Sequence, residues 1–214
     1  MVKNRSKVSH IITELGAHLP YSIFGVVIGI IILGILTFFT VILRVEHLLQ
    51  DATEELFHVF HPVHILLSAI VTTAMFWKHE RHFMKTFLIG FFGSIIICGL
   101  SDILLPYIGG KILGRQMQLH LCILEHPNSI LPFALIGVAV GFLVPGAIEK
   151  STEFSHSLHV LVSSMASILY LISFGMTEWI HVIGGVFLVT IVAVMLPCCV
   201  SDIVFPLTFT DSSS

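Results

Sequence analysis

The chain of 214 residues is 56% hydrophobic and 11% charged, with a mean hydropathy of +1.00 and a formal net charge of −3. These values exclude an ordinary soluble domain, and without a basic run or tail nucleic acid is not an expected partner. The four cysteines, Cys98, Cys122, Cys198 and Cys199, include no CxxC pair, which argues against a disulfide framework or a zinc ribbon.

A helix needs about 20 mainly apolar residues to cross a hydrocarbon layer of about 30 Å. In chain order, residues 1–17 read as a polar N-terminal segment, too long and too periodic for a signal-peptide n-region, so the first span is expected to be retained. Spans are then predicted over Leu19–Leu43, Leu56–Trp77, Phe87–Ile108, Ile130–Ile148, Phe154–Phe174 and Trp179–Phe209. The last is long enough to be tilted, broken or re-entrant. The insertion RVEHLLQDATEELFHVF carries apolar residues at helical spacing and is expected either to lie along the interface or to extend the second span. With the N-terminus inside, Lys3, Arg5, Lys7, Lys78, Arg81, Lys85 and Lys150 fall on the inner side and Arg44, Lys111 and Arg115 on the outer. The positive-inside rule then places both termini in the cytoplasm, with the plasma membrane as the expected location and the lipid bilayer as the first partner.

Three motifs recur in the same order. LPYSIFGVVIGIIILG matches LPFALIGVAVGFLVPG, aligning Pro20, Gly25, Gly29 and Gly34 with Pro132, Gly137, Gly141 and Gly146. HPVHILLSA matches HSLHVLVSS, aligning His61, His64 and Ser68 with His156, His159 and Ser163. CGLSDILLP matches CCVSDIVFP, aligning Cys98, Ser101, Asp102 and Pro106 with Cys198, Ser201, Asp202 and Pro206. Three spans is an odd number, so the second copy enters the membrane from the opposite side. The sequence therefore predicts an all-α integral membrane protein of six transmembrane helices, built as two inverted three-helix repeats (18–114 and 115–210) in a single membrane domain. Small-residue ridges of the glycine kind let helix backbones approach closely.

Residues three apart on a helix project from one face, so His61 with His64, and His156 with His159, can each address one cation. Asp102 and Asp202 lie deep in apolar spans, where an unpaired carboxylate costs about 2.5–3.5 kcal/mol by insertion scales. These six residues are the candidate metal ligands. Ser101 and Ser201 are supporting hydrogen-bonding groups, and Cys98 and Cys198 are soft ligands or small hydrophobes. Pro106 and Pro206 have no N–H for the aspartate carbonyl four residues before, which predicts a kink that frees a backbone oxygen. His10, His18, His47, His58, His79, His82, His120, His126 and His181 read as interface or solvent histidines. Within that set His58, one turn before His61, is a candidate entry ligand, with Glu153 before His156 as its counterpart.

The combination predicts a transporter for a divalent transition-metal ion of the zinc type, with proton coupling and homo-oligomerisation as open expectations. An intramembrane metal-dependent hydrolase is the alternative, although the sequence has no HExxH. A haem-binding electron carrier fits less well, because the paired histidines share one helix.

Overall fold

The computed structural model describes the backbone of residues 2–144 and 152–199 and, for the most part, side chains from residue 19 onward within those stretches, up to 144 and then over 157–197. Every described element is helical. In order these are α1 (Val2–Ile42), α2 (Leu49–His79), α3 (Phe83–Gly99), a π-helical turn (Leu100–Leu104), α4 (Leu105–Ile112), α5 (Cys122–Glu125), α6 (Pro127–Leu143), α7 (Thr152–Ser173) and α8 (Ile183–Cys199). Short 3-10 turns at Glu46–Leu48 and Trp179–Val182 lead into α2 and α8.

Helices suit these segments because a helix satisfies its own N–H and C=O groups, which hydrocarbon cannot. Four described stretches are long and apolar enough to cross a membrane: Leu19–Ile42, Glu46–Lys78, Phe83–Ile112 and Trp179–Pro197. Pro127–Leu143 and Ser157–Ser173 are shorter apolar helices. Large hydrophobic side chains cover the outside, with Phe24, Ile31, Phe38 and Phe39 of α1 all more than half exposed. The inside carries a polar layer, in which His64, Asp102, Ser163, Ser164 and Ser167 are fully or almost fully buried. That inversion of the soluble pattern is what a lipid-facing exterior requires.

The helices α2 and α7 lie together at the centre, α2 packing on α3, α6 and α7, and α7 on α1, α2 and α8. The first helix of each sequence repeat thus packs chiefly on the other repeat: α1 on α7 and α8, α6 on α2 and α3. Glycines set these contacts. A Cβ at Gly137 would stand 3.3 Å from Leu66 Cα and 2.7 Å from Ala69 Cβ, and one at Gly25 would stand 3.4 Å from Leu161 Cα and 3.0 Å from Ser164 Oγ. Gly141 meets Ile70 and Thr73, while Gly29 meets Met165 and Ile168. In the alignment that matches HPVHILLSA to HSLHVLVSS, Leu66, Ala69, Ile70 and Thr73 correspond to Leu161, Ser164, Met165 and Ile168. Gly25 and Gly29 therefore pack on the residues that match those under Gly137 and Gly141. Gly34 has open space around it, so the ridge ends a turn earlier than its sequence suggests.

Burial follows the same correspondence. Over the fifteen positions 83–97 and 183–197, buried, intermediate and exposed residues fall in the same order, although only Phe87 and Leu88 are identical to their counterparts, Phe187 and Leu188. Buried Thr86, Gly90, Ser94 and Ile97 become buried Val186, Thr190, Val194 and Pro197.

Some boundaries differ from those expected. The polar segment before the first span is helical and continuous with it from Val2 onward. The insertion after Leu43 extends the second span, since α2 starts at Leu49. Pro62 stands inside that helix without ending it. Two long-range bonds fasten the ends of the bundle: Trp179 Nε1 donates to Thr37 Oγ1 at 3.2 Å and Gln50 Nε2 to Ser173 O at 2.8 Å.

Candidate metal centre

The deepest polar cluster forms where α2, the π turn and α7 meet. His64 is the midpoint of the 31-residue α2. One turn before it stands His61, on the same face. Both side chains are buried, at 3% and 1% exposure, against the fully buried Asp102 of the π turn.

The π turn replaces the expected proline kink, and its backbone shows why. Leu105 N–H bonds Leu100 O, five residues back, where an α-helix would bond Ser101 O. Pro106 follows with no N–H and a ring that would collide with the carbonyl of Asp102 in α geometry. Widening the turn relieves that collision. The released Ser101 carbonyl accepts a bond from Ser167 Oγ of α7 at 3.0 Å, the same hydroxyl lying 2.9 Å from Ser163 O. The turn is therefore tied to α7 through a group that only its π geometry frees.

Five contacts surround the Asp102 carboxylate. His61 Nδ1 donates to Oδ2 at 2.8 Å, and His64 Nδ1 donates to Oδ2 at 2.8 Å and lies 3.0 Å from Oδ1. Ser101 Oγ and Ser163 Oγ donate to Oδ1 at 2.7 and 3.3 Å. Charge-assisted bonds are worth about 1.5–3 kcal/mol each, so the set outweighs the cost of a membrane-buried carboxylate. Phe57 stacks on His61 at 5.3 Å and 14°, holding that ring flat. The Cys98 thiol lies against His64.

Using both Nδ1 atoms as donors to Asp102 fixes the other face of each ring. A carboxylate that accepts from Nδ1–H leaves Nε2 as the metal-facing atom, the arrangement found behind many histidine ligands. His64 Nε2 points across to His159 Nε2 of α7 at 2.9 Å. In tetrahedral coordination with bonds of 2.0–2.1 Å, two nitrogens stand about 3.3 Å apart, so a small opening of the rings admits one ion between them.

Of the residues singled out from the sequence, the structure brings together His61, His64, Asp102, Ser101, Cys98 and His159, and Ser163 joins them. Pro106 is buried directly after the π turn. The side chains of His156 and Cys198, and Ser201, Asp202 and Pro206 altogether, lie outside the described residues.

A second cluster comes from residues read as interface histidines. His58, His120 and His126 have ligand nitrogens that all lie within 4.8 Å of one another and can hold a metal ion. His58 is half-buried on α2, His120 is buried before α5, and His126 is exposed at the junction of α5 and α6. Only His58 carried a sequence signal, its position one turn before His61.

Comparison with protein-family models, with curated proteins and with solved structures finds no match for this chain, so its functional reading rests on the residues and their geometry.

Proposed function

We propose that the protein is a six-span membrane transporter for a divalent transition-metal ion of the zinc type, with two inverted three-helix repeats meeting around the buried cluster. The observation that carries this reading is the junction of His61, His64 and Asp102 from the first repeat with His159 from the second, at the midpoint of α2. Imidazole nitrogen suits zinc-like ions, and a carboxylate behind the rings supplies charge and orientation. Substrate sites of inverted-repeat transporters lie near the midplane where the repeats meet. The reciprocal glycine contacts and the matched burial of α3 and α8 support the repeat, and the short apolar helices α6 and α7 supply the fourth and fifth spans.

In this reading Asp102 orients His61 and His64 and balances the charge of the ion, while Nε2 of His64 and of His159 bind it. His156 and Asp202 make the equivalent contribution from the second repeat. The recurrence of the paired-histidine and Ser-Asp motifs in each half of the sequence favours passage from one face to the other over hydrolysis at a single centre. Both termini face the cytoplasm, and the plasma membrane is the site of action.

The test is metal content of protein purified in detergent from cells supplied with zinc, iron, nickel, cobalt or manganese, read by elemental mass spectrometry for wild type and His64→Ala. A stoichiometric metal lost in the variant supports the reading. Wild type that holds none of these metals contradicts it and leaves the cluster as a polar contact for another cargo.

A further inference from the structure

The histidines at the end of α2 form a second assembly that the central cluster does not use. His58 Nε2 and His120 Nε2 face each other at 3.1 Å. His120 is held in place from three directions. Its backbone N–H donates to Tyr170 Oη at 3.2 Å, and that hydroxyl donates to Gln118 O at 3.0 Å. The Phe174 ring lies parallel to its imidazole at 4.6 Å and 9°, and Glu125 Oε2 takes its Nδ1 at 2.9 Å. The His126 ring completes the group, its centroid 4.8 Å from that of His58 and 5.5 Å from that of His120.

Aromatic packing explains why His120 lies on Phe174 but does not require two Nε2 atoms to converge. Glu125 bonded to Nδ1 fixes the tautomer and directs Nε2 of His120 inward, the carboxylate–histidine arrangement that stands behind metal ligands. Three imidazoles, one from α2 and two from the connecting stretch around α5, then surround one point, and in a tetrahedral ion three such ligands leave a fourth position for water. Three nitrogen ligands with one open position suit zinc or cobalt(II).

The group also adjoins the central cluster. His58, His61 and His64 follow one another at three-residue steps on α2. Phe57, stacked on His61, presents its edge to His120 at 6.5 Å.

We propose that His58, His120 and His126 form a second zinc-class binding site, at the mouth of the path, that loads the central one. The binding stands on its own geometry; the loading role rests on the transport reading above. The open coordination position lets an ion arrive with water and leave toward His61, whereas the central cluster is closed.

Cobalt(II) titration of the full chain in nanodiscs, followed by visible absorption and calorimetry, tests this with His126→Gln, His64→Ala and the double variant. Wild type is expected to bind two equivalents, each single variant one, and the double variant none. Because His126 is exposed, its replacement leaves the packing intact. Glu125→Gln is expected to weaken the mouth site about 10–100-fold while keeping its stoichiometry. If His126→Gln binds as much cobalt as wild type, with the same affinities, the mouth site is refuted. A loss in His126→Gln with none in His64→Ala supports the mouth site and refutes the central one. In vesicles, loading predicts that His126→Gln raises half-saturating zinc at an unchanged maximal rate; an unchanged half-saturation overturns the loading role.

Discussion

His64 Nδ1 lies 2.8 Å from Asp102 Oδ2, and this one bond joins the midpoint of α2 to the π turn that interrupts the third span. A carboxylate buried in a membrane segment is sustained by the rings it orients, and those rings in turn owe their outward-facing nitrogens to it. The pairing makes the cluster one unit, so in the transport reading changes to the turn register in metal binding.

Pro106→Ala tests that coupling. Restoring an N–H at position 106 lets the backbone bond the Asp102 carbonyl and return toward α geometry, which withdraws Ser101 O from Ser167 and turns Asp102 away from His61. Metal affinity is expected to fall about 10–100-fold with the helix content of the protein unchanged by circular dichroism. Wild-type affinity in this variant would show that the π turn does not position the carboxylate.

The glycine contacts predict paired behaviour. Gly137→Leu and Gly25→Leu each force a side chain into backbone of the opposite repeat, and overpacking of this kind costs about 1–3 kcal/mol or more. Both should lower the melting temperature in detergent, while Gly34→Leu, facing open space, should leave it near the wild-type value. A Gly34 variant as damaging as the other two would contradict the assignment of these contacts.

Trp179 is buried and donates to Thr37, which joins the entry to α8 to the end of α1. Trp179→Phe removes the donor and leaves the Thr37 hydroxyl short of one partner, though Thr37 Oγ1 still donates to Leu33 O. A loss of about 0.5–1.5 kcal/mol is expected, measured as a shift of thermal unfolding that Thr37→Val largely reproduces. Additive losses in the double variant would show that the bond contributes nothing.

Cys122, on α5, is buried, and that burial pushes its thiol up to about 12. The thiolate is the reactive form, and it is scarce at any pH well below that value. Folded protein at pH 8 should therefore resist iodoacetamide at Cys122, with modification appearing only after denaturation, as peptide mass spectrometry will read. Rapid labelling of the native protein would place the thiol in a different environment.

The features visible in the sequence are those written in local pattern. Apolar length marks the four described stretches long enough to cross a membrane, and the repeated HPVH, HSLH and SDI segments mark His61, His64, Asp102 and His159, which the structure brings together. The π turn was hidden because a proline four residues after an aspartate predicts a kink and a widened turn equally well; only the competition between Leu105 N–H and the Pro106 ring decides. His120 and His126 were hidden for a different reason. They stand on a connecting stretch far along the chain from His58, and no spacing rule links a loop histidine to a helix it meets in three dimensions. Asp102, which its depth in an apolar span marks as a candidate ligand, has its oxygens taken by two Nδ1 atoms and two hydroxyls, so in the transport reading it orients the rings of His61 and His64.

The most direct measurement of the central claim is zinc flux into proteoliposomes, followed with a trapped zinc-sensitive dye, for wild type beside Asp102→Asn. Saturable, protein-dependent uptake is expected in wild type and falls at least tenfold in the variant, because the amide cannot accept from both imidazoles as the carboxylate does. Equal uptake by the two proteins, or no uptake by wild type with zinc and the other divalent transition metals, would contradict it.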